Sequence, residues 1–169
     1  MVHLGLSNAA TVRAGRAMGR KSVADLRRGG RIVVLMSLFI AGLSLIVFLA
    51  VPETLMGLFL SPDEPQRDAV IALGVGLLAA AGLFQVSDAA QVMTIGLLRG
   101  VQDSKVPMIL AAISYWCIGM PVSYVFGFVL GWGGVGIWVG LALGLAVAAI
   151  LLSLRFWGPV LRRIEAEQG

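Results

Sequence analysis

Long apolar runs separated by short polar segments are the main pattern of this chain. A run of about 20 apolar residues is long enough to cross the hydrocarbon core of a bilayer as a helix. The first run ends at Pro52, and the last tract, residues 106–154, exceeds one span and divides at the glycine-rich segment 131–134. The pattern therefore predicts four membrane-spanning helices, at about residues 32–51, 69–98, 107–130 and 134–155.

Three shorter segments lie outside these runs. Residues 1–19 have a helical pattern, but only about 11 residues precede the first arginine, too few to cross a bilayer. We interpret this segment as the remaining half of a membrane helix whose first half is absent. Residues 20–30 contain Ser22 and Asp25 at capping-box spacing, which favours a short amphipathic surface helix. Residues 52–60 begin with proline, which favours a short helix lying in the membrane interface.

Composition supports a membrane protein and excludes several other classes. The chain is 59% hydrophobic and 13% charged, whereas soluble domains are about half apolar and about a quarter charged. The single cysteine, Cys117, excludes an intramolecular disulfide, and with the single histidine, His3, it cannot form a zinc site. We therefore predict an all-α membrane protein, a polytopic bundle of four full transmembrane helices plus a truncated N-terminal helix. Because no nucleophile–base or metal set is present, we predict neither enzymatic activity nor a cofactor.

The basic residues fall almost entirely on one side of the predicted membrane. If the four spans alternate, 12 of the 13 lysines and arginines lie at ends formed by residues 13–31, 99–105 and 155–163. Only Arg67 lies on the other side, among the acidic residues Asp63, Glu64 and Asp68. Cytoplasmic loops carry the excess of Lys and Arg, so the C-terminus is predicted to be cytoplasmic. This distribution explains the high pI, so the lipid bilayer and not nucleic acid is the expected partner.

Asp88 is the acidic residue that lies deep inside a predicted span. It precedes Arg99 by 11 residues, about 16 Å along a helix, which places it near the middle of the membrane. Gln85, Asp88 and Gln91 are three residues apart and form a polar strip on one side of this helix. An ionisable residue at this depth indicates a proton or cation site such as Na⁺, although a helix–helix hydrogen bond remains the alternative.

Three further residues are candidates for supporting roles. Tyr115 and Tyr124 could line a cavity beside the polar strip. Pro121 lies inside the third predicted span, where its ring removes a backbone hydrogen bond and kinks the helix. Such a kink is either a hinge or simply part of the shape of the helix.

Small residues recur every fourth position in the last span. Such a face allows another helix to approach closely, and it indicates packing without indicating transport. The residues concerned are Gly136, Gly140, Gly144 and Ala148.

Four stretches together resemble the multidrug and toxic compound extrusion (MATE) family, of the bacterial norfloxacin-exporter type. They occur in the order and spacing of that family and cover nearly the whole chain. The stretches are "GLSNAATVRAGRAMG", "FQVSDAAQVMTIGLLRGVQDSKVPM", "SYWCIGMPVSYVFGF" and "GGVGIWVGLALGL".

The resemblance implies a specific architecture and activity. Members of the family have twelve helices in two six-helix lobes, and this chain is similar to the C-terminal lobe from late in the eighth helix onward. The missing N-terminal lobe would then be a partner. Family members export drug-like compounds and organic cations in exchange for Na⁺ or H⁺ by alternating access, and an aspartate matching Asp88 contributes to cation coupling. The resemblance implies a multi-pass protein of the bacterial inner membrane.

A second hypothesis belongs to a different class. The chain could be a small membrane protein without transport activity that associates through the glycine-rich face of residues 134–155, with Asp88 in a purely structural role.

Overall fold

All regular elements in the described part of the chain are helices. The computed structural model describes residues 2–60 and 66–167. Four of the helices are long and apolar enough to cross a membrane, which confirms the predicted all-α membrane fold. Met1, Asp63 and Glu64, which contributed to the sequence predictions, lie outside the described residues. The helices are α1 (Val2–Gly19), α2 (Val23–Ala50), α3 (Pro52–Gly57), α4 (Arg67–Gly100), α5 (Lys105–Val129) and α6 (Gly133–Ala166).

Helix α4 lies at the centre of the bundle and contacts α1, α2, α3 and α6. Helix α1 runs parallel to it, because the Ser7 hydroxyl donates to the carbonyl of Val92 (2.8 Å) and the Thr11 hydroxyl to that of Gly96 (2.9 Å). The core at the arginine-rich end joins α1, α2, α4 and α6. The outer surface of the spans is apolar; Phe39 of α2, for example, is 73% exposed, as expected of a side chain facing lipid.

The predicted separate surface helix over residues 20–30 is wrong, because residues 23–30 form the first turns of α2 and residues 20–22 form the turn before it. The cap itself is confirmed: the Ser22 hydroxyl accepts a hydrogen bond from the Asp25 backbone N–H at 3.3 Å. The helix continues through Gly29 and Gly30 without a break. Gly30 is buried, and a Cβ there would lie 3.3 Å from Leu97 and 3.4 Å from the neighbouring aromatic rings of α6. The glycine therefore serves close packing and does not end the helix.

Helix α5 contains two π-helical segments, Ser114–Gly119 and Val125–Val129, on either side of an α-helical stretch. Pro121 is the second residue of that stretch, directly after the first π segment. A proline lacks the backbone N–H that an α-helix uses and clashes with the preceding turn, and a wider turn relieves this conflict. After α5 the chain turns at Gly131 and Gly133, both with positive φ, as the glycine-rich segment predicted.

Helix α6 extends well beyond the predicted end at residue 155. It continues through a π-helical segment, Phe156–Val160, to Ala166. The reason is burial: Phe156, Leu161 and Ile164 are almost completely inaccessible to solvent and complete the core at this end. Arg155, at the predicted end, lies inside the helix. Its guanidinium is paired with the carboxylate of Asp103 (Nε to Oδ2, 2.6 Å).

The small-residue face of α6 packs against α5 within the chain. A Cβ on Gly136 would lie 2.5 Å from the backbone of Phe126, and one on Gly144 would lie 2.7 Å from the Cα of Gly119. A Cβ on Gly140 would overlap the backbone of Ser123. Since α5 already covers this face, it is not free to hold a second copy of the chain.

Three contacts bring the arginine-rich segments to one end of the bundle. Arg27 of α2 pairs with Glu165 of α6 at 2.6 Å, and Arg31 lies over the Trp157 ring at 5.9 Å. The third contact is the Asp103–Arg155 pair described above, between the α4–α5 turn and α6. The spans therefore alternate in direction, as the charge count assumed.

Replacing Gly140 by alanine should destabilise the bundle by about 1–3 kcal/mol, because the new methyl group forces α5 and α6 apart. Gly42→Ala in α2 is the matched control, since a Cβ there meets nothing within 4 Å. The control should be neutral or slightly stabilising because alanine favours helix. Unfolding of the purified chain in mixed micelles with increasing SDS measures both. Equal effects at the two positions would contradict this account of the glycine face.

Removing either partner of the Asp103–Arg155 pair should cost about 1–3 kcal/mol, because the remaining charge is left largely shielded from water. Asp103→Asn, Arg155→Gln and the double variant form a cycle that isolates the interaction. Arg163→Gln breaks the exposed Arg163–Glu167 pair and should change stability little. The same SDS titration applies, and additive single effects in the cycle would rule out a direct interaction.

Candidate ion-coupling site

Asp88 lies in the membrane-spanning part of α4 and is partly buried. Among the described residues, no hydrogen bond or ion pair engages its carboxylate. This distinguishes it from Asp103, the other partly buried aspartate, which is held by an arginine. A carboxylate without a fixed partner at this depth has its oxygens available to a proton or a cation.

His3 of α1 lies at the same level of the bundle as Asp88 of α4. The two helices are parallel, and the bonded pair Ser7–Val92 fixes their register. His3 precedes Ser7 by four residues and Asp88 precedes Val92 by four, so each lies one helical turn before that pair. The His3 ring is anchored from the other side, because its Nδ1 is 2.8 Å from the buried Ser37 hydroxyl of α2.

Gln91, one turn further along α4, joins Tyr115 of α5. Its side-chain amide N–H donates to the Tyr115 hydroxyl. Gln91 is only 3% exposed, and its carbonyl oxygen Oε1 has no hydrogen-bond partner among the described residues. A buried polar atom without a partner is costly, so this oxygen is a further acceptor available to a water or cation close to Asp88.

The polar strip on α4 does not face a single neighbour. Residues three apart on an α-helix are displaced by about 60° around its axis, so the strip turns gradually as it runs along the helix. Gln91 therefore meets α5, while Thr94, at the next position, lies 3.3 Å from the Ser153 hydroxyl of α6. The strip connects α4 to two different helices and leaves Asp88 at the level of α1.

The structure does not bring all the candidate residues together. Tyr124 is 62% exposed and stacks on Phe128 at the outer surface, roughly 13 Å along α5 from Tyr115. Pro121 is also exposed, and Gln85 is partly buried with no hydrogen bond among the described residues. The local group is therefore made of Asp88, Gln91 and Tyr115, together with His3.

Sequence reasoning missed His3, Ser37 and Thr94. The sequence analysis considered His3 only as a zinc ligand, and the two hydroxyl residues carry no distinctive motif. The signal for His3 was the parallel arrangement of α1 and α4, which follows from alternating spans and places residues 3 and 88 at similar depth. Within the described residues, no group of three or more His, Cys, Asp or Glu side chains could hold a metal ion.

Three curated relatives of this chain, from three organisms, carry the same name. The chain is 44% identical over 156 residues to the "Probable multidrug resistance protein NorM" of Agrobacterium fabrum, covering 92% of this chain and 34% of that protein. The proteins of the same name from Brucella suis and Pseudomonas aeruginosa are each 40% identical, with 98% and 92% of this chain covered. The chain thus spans about a third of the length of the curated relatives it matches.

Two solved structures share the fold. The inward-facing conformation of a multidrug resistance MATE family transporter superposes with a TM-score of 0.78 at 22% identity, covering 97% of this chain and 36% of that one. The eukaryotic MATE transporter AtDTX14 gives a TM-score of 0.74 at 17% identity, over 99% and 37% of the two chains.

The model of the MatE family matches residues 1–125, about three-quarters of the 169 residues. The predicted resemblance is thereby confirmed, and the chain belongs to the MatE family of multidrug and toxic compound extrusion proteins.

Proposed function

We propose that this chain forms part of the C-terminal lobe of a transporter that exports drug-like compounds, including organic cations, in exchange for Na⁺ or H⁺. Asp88 is the residue that takes up and releases the coupling ion. The observation that carries the proposal is a carboxylate in the membrane-spanning part of α4 that no described residue pairs with. Membership of a family of transporters makes ion coupling the natural use of such a group.

The surroundings of Asp88 support either coupling ion. A carboxylate binds a proton directly, and the unpartnered Oε1 of Gln91 one turn away is an oxygen ligand of the kind that Na⁺ accepts. His3, held by Ser37 at the level of Asp88, is a second titratable group from another helix. Movement of α1 relative to α4 would change the surroundings of the carboxylate, which is what coupling an ion to alternating access requires.

The share of the relatives that the chain covers supports a two-lobed whole. Because the chain spans about a third of their length, the remaining part would supply the N-terminal lobe and the opposite wall of the transport pathway. We propose that the assembled protein is a multi-pass protein of the bacterial inner membrane with the arginine-rich end, and hence the C-terminus, in the cytoplasm.

The alternative of a small protein that associates through the glycine-rich face of α6 has less support. That face is occupied by α5 of the same chain, at separations that leave no room for another helix.

Asp88→Asn should abolish ion-driven drug export without reducing the amount of protein in the membrane, because asparagine keeps the shape but cannot exchange a proton or neutralise Na⁺. The measurement uses a full-length transporter in which this chain supplies the C-terminal part, reconstituted in proteoliposomes. Export is driven by an imposed Na⁺ gradient or by an imposed pH gradient in separate experiments. The gradient that drives export in the wild type, and fails to do so in the variant, identifies the coupling ion.

Asp68→Asn is the matched control, since Asp68 is an exposed residue in the first turn of the same helix. It should leave export unchanged under both gradients. Normal export by Asp88→Asn would disprove the coupling role, and loss of the protein from the membrane would instead indicate a structural role for Asp88.

The proposed orientation predicts different labelling at the two ends of the bundle. In a Cys117→Ala background, Gln66→Cys should react with a membrane-impermeant maleimide added to intact spheroplasts, whereas Ser104→Cys should react only after the membrane is opened. Both positions are exposed, Gln66 at the start of α4 and Ser104 before α5 at the arginine-rich end. The reverse pattern would place the C-terminus outside the cytoplasm.

A further inference from the structure

A cavity of about 630 Å³ lies between α1 and α2 at the arginine-rich end of the bundle. Four arginines line it, three from α1 and the turn that follows and one from α2: Arg13, Arg16, Arg20 and Arg28. The Arg13 side chain reaches across to α2, where its Nε lies 4.0 Å from the position that a Cβ on Gly29 would occupy. The ion-coupling site lies elsewhere, deeper along α4.

The arginines of this end fall into two groups. Arg20 pairs with Asp25 at 3.2 Å, Arg27 with Glu165 at 2.6 Å, and Arg31 lies over Trp157. By contrast, no ion pair or hydrogen bond within the described residues engages the other three arginines of α1 and α2, all of which line the cavity. These are Arg13, Arg16 and Arg28. Asp25 also lines the cavity, but its carboxylate is paired with Arg20. The three remaining guanidinium groups repel one another unless a further anion is present.

The floor of the cavity is apolar. It is formed by the alanine side chains of α1 at positions 10, 14 and 17 and by Leu97 of α4. Ile32, one turn beyond Arg28 on α2, lines the same cavity and is exposed. Both residues also line a neighbouring groove that continues to Leu35, which is 66% exposed. The surface thus changes from arginine to exposed aliphatic side chains within two turns of α2.

We propose that this cavity binds the phosphate group of an anionic phospholipid from the leaflet at the arginine-rich end. Arg13, Arg16 and Arg28 hold the phosphate, since guanidinium groups match its geometry with paired N–H donors. The glycerol and the first part of the acyl chains lie along Ile32 and Leu35. Basic pockets between transmembrane helices recognise lipid headgroups in this way.

The apolar floor and rim favour a lipid over a soluble phosphate compound. Arg13, Arg16 and Arg28 are all exposed, as the rule for membrane orientation by itself also allows. Here they come from two helices, surround one cavity, and lie directly above exposed aliphatic residues. A free phosphate would use the arginines but would leave those aliphatic residues without a role.

Native mass spectrometry of the delipidated chain in detergent tests the proposal. The probes are phosphatidylglycerol and phosphatidylcholine, each titrated with and without excess inorganic phosphate or glycerol phosphate. We expect phosphatidylglycerol to bind more tightly than phosphatidylcholine and to resist competition by the soluble phosphates. The triple variant Arg13→Gln/Arg16→Gln/Arg28→Gln should weaken phosphatidylglycerol binding by about tenfold or more.

The matched control is Arg99→Gln/Lys105→Gln/Arg162→Gln, which removes three exposed cations outside the cavity. It should change the affinity by less than about twofold. Equal weakening by both triple variants would overturn the proposal in favour of general surface charge, as would equal binding of the two lipids. Tight binding of inorganic phosphate that displaces the lipid would overturn the lipid as the source of the phosphate group.

A measurement on the unmodified chain covers the case in which the triple variant does not fold. Arginine modification by a phenylglyoxal reagent is compared in nanodiscs of phosphatidylglycerol and of phosphatidylcholine. Arg13, Arg16 and Arg28 should be protected in the first, with Arg162 equally reactive in both. The proposal would be overturned if all four arginines were protected equally, or if the three cavity arginines were not protected at all.

Discussion

The close approach of α1 to α4 is the contact on which the arrangement of the bundle depends. A Cβ on Gly96 would lie 2.5 Å from the Ser7 hydroxyl, and a Cβ on Gly100 would lie equally near the side chain of Ala14. Two helices can approach to this distance only where small residues face each other. At that separation, hydroxyl groups of α1 reach the backbone carbonyls of α4. In an apolar environment such bonds fix the relative height of two helices, so the level of His3 opposite Asp88 follows from glycine positions several turns away.

Much of the fold was predictable because membranes impose simple rules on sequence. The length of the apolar runs predicted the four spans, and the positive φ at Gly131 and Gly133 agrees with the predicted turn. Other features were not predictable, since they depend on which distant residues pack together, and a single sequence does not reveal this. In the sequence, Gly30 suggests the end of a helix, whereas in the structure it allows Leu97 and the aromatic rings of α6 to pack closely against α2.

The candidate site shows the same division. Asp88 was predictable because a carboxylate in an apolar run is costly and therefore conspicuous. Tyr115 and Tyr124 are nine residues apart, which a uniform 3.6-residue period places on opposite sides of a helix, so the sequence argued against both lining one cavity. Which of the two faces Gln91 was not predictable, because it depends on how α5 packs against α4. Tyr115 meets Gln91, while Tyr124 lies on the outer surface beside Phe128.

The π segment Ser114–Gly119 has a mechanical consequence for α5. A π turn holds about one residue more than an α turn, so converting it to α geometry would rotate the rest of the helix by about 100°. Tyr115 at its beginning is attached to Gln91, and Gly119 at its end is pressed against Gly144. The segment is therefore clamped at both ends by different helices. Conversion of the segment to α geometry would therefore disrupt at least one of these two contacts.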